Sequence, residues 1–190
     1  MEAVKARGYL LHTTLKYLQE GMAADRRSKA YQSVKPETVR LVEAAKPTEW
    51  YDVGIYNELL EAVASASNGD GVTAENDLVR CGTFAANEAT NTFLRLFMKV
   101  LTPALFAKKL PSLFERDFSA GKVKVEVADD RLICSLKNVR AFRHVAACSS
   151  GFATFTLETM GKKLLDRKIR GWSISDPQPE ECEFELIWQE

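Results

Sequence analysis

Strict alternation of apolar and polar residues is confined to the C-terminal third of the chain, and it predicts a small sheet there. From Lys122 onward, Val123, Val125 and Val127 fall on one side and Lys122, Lys124 and Glu126 on the other, the period of a half-buried strand. Asp129-Asp130 interrupts the pattern, which resumes through Leu132, Cys134 and Leu136, so the two runs predict a hairpin. At the end of the chain Cys182, Phe184, Leu186 and Trp188 alternate with Glu181, Glu183 and Glu185, which predicts a strand whose glutamates face water. A third strand is predicted from Lys168 to Ser175. Asp176-Pro177-Gln178-Pro179 is its turn, because proline cannot donate to a ladder.

Upstream the period is helical. Leu11, Leu15, Leu18 and Met22 predict a first amphipathic helix from Gly8 to Met22. Pro36-Glu37-Thr38 reads as a helix start, and Ile55, Leu59, Ala62, Val63 and Ala66 form a stripe that stops near Asn68-Gly69. Thr73 is placed to cap a long helix through Leu78 and Phe84, with a helical pattern again from Phe93 to Leu101. Leu105, Phe106, Leu110, Leu113, Phe114 and Phe118 continue it, interrupted by Pro111 and ended by Gly121. A last helix is predicted from about Phe142 to Leu164. Helices first and sheet last is an α+β order: N-terminal helices, then a four-stranded antiparallel sheet with a long helix inserted between two hairpins. Residues 1–190 are expected to be a single domain, 1–120 mainly helical and 121–190 the sheet with its covering helix.

Composition narrows the partners. The 190 residues carry 26 basic and 26 acidic side chains, so no net field attracts nucleic acid or an anionic membrane surface. No apolar run approaches the roughly 20 residues of a membrane span, and the start lacks a signal-peptide apolar region. A cytoplasmic protein is the expectation. Cys81, Cys134, Cys148 and Cys182 are dispersed and read as buried thiols rather than disulfides.

The candidate chemistry is sparse. Cys134, Cys148 and Cys182 are the available zinc ligands, but the close cysteine pairs that usually hold zinc are absent, and small core hydrophobes is the reading preferred for them. His12 and His144 are the only histidines, so a histidine haem ligand, acid or base is one of these two. His144, at a helix start, is expected to be partly exposed, and both are read as structural or solvated. Ser149-Ser150-Gly151 lacks the flanking glycines of a nucleophile elbow. The basic residues from Arg140 to Arg170 read as a solvated face. With no converging acid, base and nucleophile, the chain is read as non-enzymatic, without a cofactor. The aromatic helix faces are richer: Phe93, Phe97, Phe106, Phe114, Phe152 and Phe155 are the candidate lining of an apolar pocket for an aromatic or acyl ligand, with Trp50 and Tyr51 as its gate. The expectation is a small-molecule-binding sensor module, homodimeric or bound to a protein partner. The alternatives are a scaffold with a filled core and a haem-binding sensor.

The layout also resembles the 4-vinyl reductase domain family and, more closely, a family of uncharacterised paralogues expanded in myxobacteria. The matching pieces are Arg7-Gly8, Leu15-Lys16-Tyr17-Leu18, Trp50-Tyr51, Phe93-Leu94-Arg95-Leu96-Phe97, the strand after Gly121, Gly151 and the closing Cys182 to Trp188. The resemblance implies a fold like that of vesicle-tethering TRAPP subunits and of aromatic-responsive activator sensors, with an apolar pocket and a helix-mediated dimer. In those sensors two cysteines of the closing hairpin hold zinc; here Cys182 remains, but Ile174 stands eight residues earlier.

Overall fold

The chain enters through a short strand, β1 (Lys5–Arg7), in the computed structural model, which describes residues 3–67, 69–90 and 98–189. Helix α1 (Gly8–Lys16) follows and widens into a π-helical turn over Tyr17–Gly21, closed by Met22 N donating to Tyr17 O at 2.9 Å. Next come α2 (Ala24–Ser33), α3 (Pro36–Ala44) and β2 (Trp50–Asp52), which pairs antiparallel with β1. This two-stranded sheet escapes pattern reading because three residues hold too little periodicity. Asp52 then caps α4 (Val53–Ser65), accepting from Gly54 N at 2.7 Å.

Helix α5 (Gly71–Ala89) is capped by Asp70, which accepts from Val72 N at 3.1 Å, and not by Thr73 as the sequence suggested. The aromatic run with Phe93 and Phe97 lies outside the described residues. Helix α6 (Pro103–Asp117) runs through Pro111 without breaking. The ~3 kcal/mol that an interior proline costs is outweighed by burial of Phe106, Ala107, Leu110 and Phe114 along one stripe.

The hairpin of β3 (Lys122–Val127) and β4 (Arg131–Lys137) forms as the alternation requires. The inserted helix, α7, is shorter than expected, Val145–Thr159, and the third strand, β5, lies earlier, Lys163–Arg170. A bulge between Leu164 and Asp166 breaks its alternation and explains the misplacement. With β6 (Glu181–Gln189) the sheet is antiparallel in the order β3-β4-β6-β5. Its inner face is apolar: Phe184 and Trp188 are only 1% and 2% exposed, each contributing about 1.5–3 kcal/mol by burial. The outer face is not uniformly wet. Glu185 is 5% exposed, covered by Arg131 (3.2 Å) and Arg170 (2.8 Å). No helix among the described residues is long and apolar enough to cross a membrane.

Above the sheet, α5 and α7 touch backbone to backbone. A Cβ on Gly82 would stand 1.9 Å from Cys148 O, and one on Gly151 2.0 Å from Val79 O. Thr83 Oγ1 donates to Gly151 O at 3.1 Å across the same contact. We therefore expect Gly82→Ala and Gly151→Ala each to lower the unfolding free energy by about 3 kcal/mol or more, the upper end of overpacking effects. Gly71→Ala, with nothing within 4 Å of its Cβ, should be neutral or stabilising by less than about 1 kcal/mol. Urea unfolding of the three variants checks both outcomes.

Candidate functional site

Small residues at the α5–α7 contact leave space beside it. An apolar cavity of about 80 Å³ lies between the helices and the sheet, bounded by Gly82 and Ala85 of α5, Cys148 and Phe152 of α7, Phe114 of α6 and Phe184 of β6. Tyr9, Tyr56, Asp117 and Cys134 also reach it. Its α6 side is stiffened by aromatic contacts: Phe114 and Phe118 are 4.7 Å apart between ring centroids, and Phe118 and Phe142 4.9 Å.

Of the candidate pocket residues, Phe114 and Phe152 line this cavity. Phe106 is buried elsewhere along α6, and Phe155 is half-buried about one turn beyond Phe152. Trp50 and Tyr51 sit on β2, away from the cavity: Trp50 under the Arg7 guanidinium at 3.9 Å, Tyr51 accepting from Lys46 N at 2.8 Å.

The polar wall was not legible in the sequence. Tyr9 of α1 donates its phenol hydrogen to Asp117 at the end of α6, and Arg116 grips the same carboxylate through Nε (2.7 Å) and Nη2 (3.0 Å). Burial, then Asp117, pushes the Tyr9 phenol up, so it stays protonated. The bond to Asp117 likewise raises Arg116. Beyond this wall an open cleft of about 480 Å³ is lined by Arg7, Arg116, Pro47 and Thr48, and shares Tyr9 and Asp117 with the cavity.

The cysteines are thiols in the core. Cys148 Sγ donates to Leu78 O at 3.4 Å, and contact with Cys81, then burial, raises it. Burial raises Cys134 strongly and Cys182 to about 12. Among the described residues no three or more His, Cys, Asp or Glu converge as a metal site.

Neither histidine lines the cavity. His12 Nε2 lies 2.7 Å from Ala45 O, between α1 and the end of α3. His144 is 1% exposed, not partly exposed as its helix-start position suggested, and its φ is 57°. Its Nε2 lies 3.1 Å from Glu61 Oε2 and its ring packs edge-on to Trp172, while Nδ1 has no partner. These contacts are distant in sequence, which is why local reading missed them.

No protein-family model matches the chain, and no curated protein is similar to it in sequence. Its fold is similar to that of H-NOX domains. An H-NOX protein from S. oneidensis in the Fe(II) ligation state aligns with TM-score 0.58 and 10% identity over 97% of this chain and 96% of that one. An oxygen-binding H-NOX domain related to soluble guanylate cyclases gives 0.60 and 10% over 97% and 95%. A Cs H-NOX variant carrying 4-cyano-L-phenylalanine gives 0.61 and 12% over 97% of each. The resemblance to 4-vinyl reductase domains and their relatives is thereby corrected. The short motifs that suggested it reflect local packing: Arg7-Gly8 opens α1, Gly151 serves the α5–α7 contact, and Cys182 to Trp188 is β6.

Burial lowers the His144 pKa from its ordinary value, against the upward pull of Glu61 and with Arg143 adding to the depression. The unfolded chain therefore takes up the proton first. The stability contributed by neutral His144 is complete above about pH 6.5 and is lost as pH falls through the depressed folded value. His144→Asn keeps a residue tolerant of positive φ and removes the titration. Urea unfolding between about pH 7 and pH 5 should show a smaller loss of stability in this variant than in wild type.

Proposed function

We propose that the chain is a non-catalytic sensor domain whose ligand occupies the space between the helices and the sheet. The observation that carries this reading is the apolar cavity itself, bounded by α1, α4, α5, α6, α7 and the sheet. A molecule held there touches every layer of the fold, so its presence biases their relative packing. The likeness to an oxygen-binding H-NOX domain and to one in the Fe(II) ligation state supports a ligand-holding role for this fold.

Haem is the group named for one fold neighbour, a protein whose redox potential is modulated through porphyrin distortion. The donors of this chain do not fit a histidine-ligated haem in the same interior. Both histidines lie away from the cavity, and residues 91–97 contain no histidine, cysteine, methionine or tyrosine. The remaining donors at the wall are Tyr9, Tyr56, Cys134 and Cys148, which would hold iron as the phenolate or thiolate. The haem reading, supported by the neighbours' fold, would rest on one of these side chains or on the buried thioether of Met98. The geometry favours direct binding of a compact apolar group.

Xenon NMR tests the cavity, since apolar voids take up xenon. The xenon shift should move with wild-type protein and return to its buffer value with Ala85→Leu, which fills the space from α5 while far-ultraviolet dichroism stays unchanged. Haemin titration tests the iron. The visible spectrum should be the same for wild type, His12→Ala and His144→Asn, and a Soret band that depends on either histidine contradicts the donor assignment.

A further inference from the structure

The Tyr9–Asp117 wall has two sides, the apolar cavity within and the arginine-edged cleft without. Arg7 is rigidly placed in that cleft. Its Nε donates to Arg116 O at 3.0 Å, Nη1 donates to Thr48 O, and the guanidinium lies 3.9 Å from the centroid of the Trp50 ring. The charges of the cleft do not cancel. Arg116 is matched by Asp117, whereas Arg7 is bound only to backbone carbonyls, with no ion pair to a carboxylate among the described residues. A stacked guanidinium whose Nη2 makes no hydrogen bond among the described residues is a receptor for a carboxylate.

We propose that cleft and cavity are the two halves of one site for a short-chain aliphatic monocarboxylate. The acid pairs with Arg7 and Arg116 in the cleft, and the tail passes Tyr9 and Asp117 to lie against Phe114 and Phe152. The proposal rests on the sensor reading above and names its ligand class. Size selects the tail: about 80 Å³ is well short of the ~150 Å³ void that takes benzene, so a few aliphatic carbons fit and an aromatic ring does not. Charge selects the head. One unmatched guanidinium balances a monoanion, while the Asp117 carboxylate on the same wall opposes a dianion such as phosphate. Entry of the tail parts Tyr9 from Asp117 and so loosens α1 from the end of α6. There Ser119 N donates to Lys5 O at 3.0 Å and joins the motion to β1.

Isothermal titration at constant ionic strength tests this with butanoate, acetate and butanamide as probes. Butanoate should bind about tenfold tighter than acetate, for two more buried methylenes, and about tenfold tighter than butanamide, for the charge-assisted bonds. Arg7→Gln should weaken butanoate about tenfold and leave the xenon shift in place. Equal binding of butanoate and butanamide, or an unchanged affinity in Arg7→Gln, overturns the proposal. If Arg7→Gln does not fold, the comparison of butanoate with butanamide on the wild-type chain decides alone. Absence of butanoate binding with xenon still entering removes the acid site and leaves the cavity reading standing, whereas absence of both removes that reading too.

Discussion

Contact between the backbones of α5 and α7 is the constraint from which the rest of the architecture follows. Two glycines, Gly82 and Gly151, let carbonyls of the facing helix come within van der Waals reach, a separation that any side chain would prevent. Because α7 rests on β5 and β6, the contact fixes how α5 lies over the sheet. It also demands small neighbours. Ala85, Cys148 and Ser149 surround the contact and border the cavity, so close helix packing and unfilled space have one cause.

Buried carboxylates tie the remaining helices in place. Asp77 of α5 is held by Arg26 of α2 through Nε at 2.9 Å and Nη2 at 3.0 Å, and Asp117 of α6 by Arg116 and by Tyr9 of α1. Such pairs add little net stability over apolar packing, but an arrangement that parted either pair would leave a charge buried and unmatched. Each pair therefore penalises any packing of these helices that would separate its partners. At α6 the same chemistry stands between the apolar cavity and the arginine-edged cleft.

Much of this fold was legible in the sequence, and what was not has physical reasons. Val123, Val125 and the run from Cys182 to Trp188 announce their strands because alternate side chains turn toward the core, half-buried on β3 and buried on β6. β5 does not, since its bulge puts Leu165 in solvent at 56% exposure. The site was only half readable. Phe114 and Phe152 follow from helical stripes, but the Tyr9, Asp117 and Arg116 cluster joins residues from opposite ends of the helical region, and no local pattern signals a tertiary hydrogen bond. The family resemblance failed for a related reason: short motifs such as Arg7-Gly8 report local packing, which unrelated chains share, whereas the whole-chain arrangement is that of H-NOX domains.

The clamp on Glu185 has a consequence for how the sheet assembles. Arg131 comes from β4 and Arg170 from β5, on either side of β6, so one carboxylate stitches three strands on the side away from the core. Sliding β6 by a single residue would turn Phe184 toward the arginines and drive Glu185 among Leu132, Cys134 and Leu136. Both surfaces of the sheet thus veto the same misalignment, and the polar side acts as a proofreading device for strand pairing, not as a passive coat.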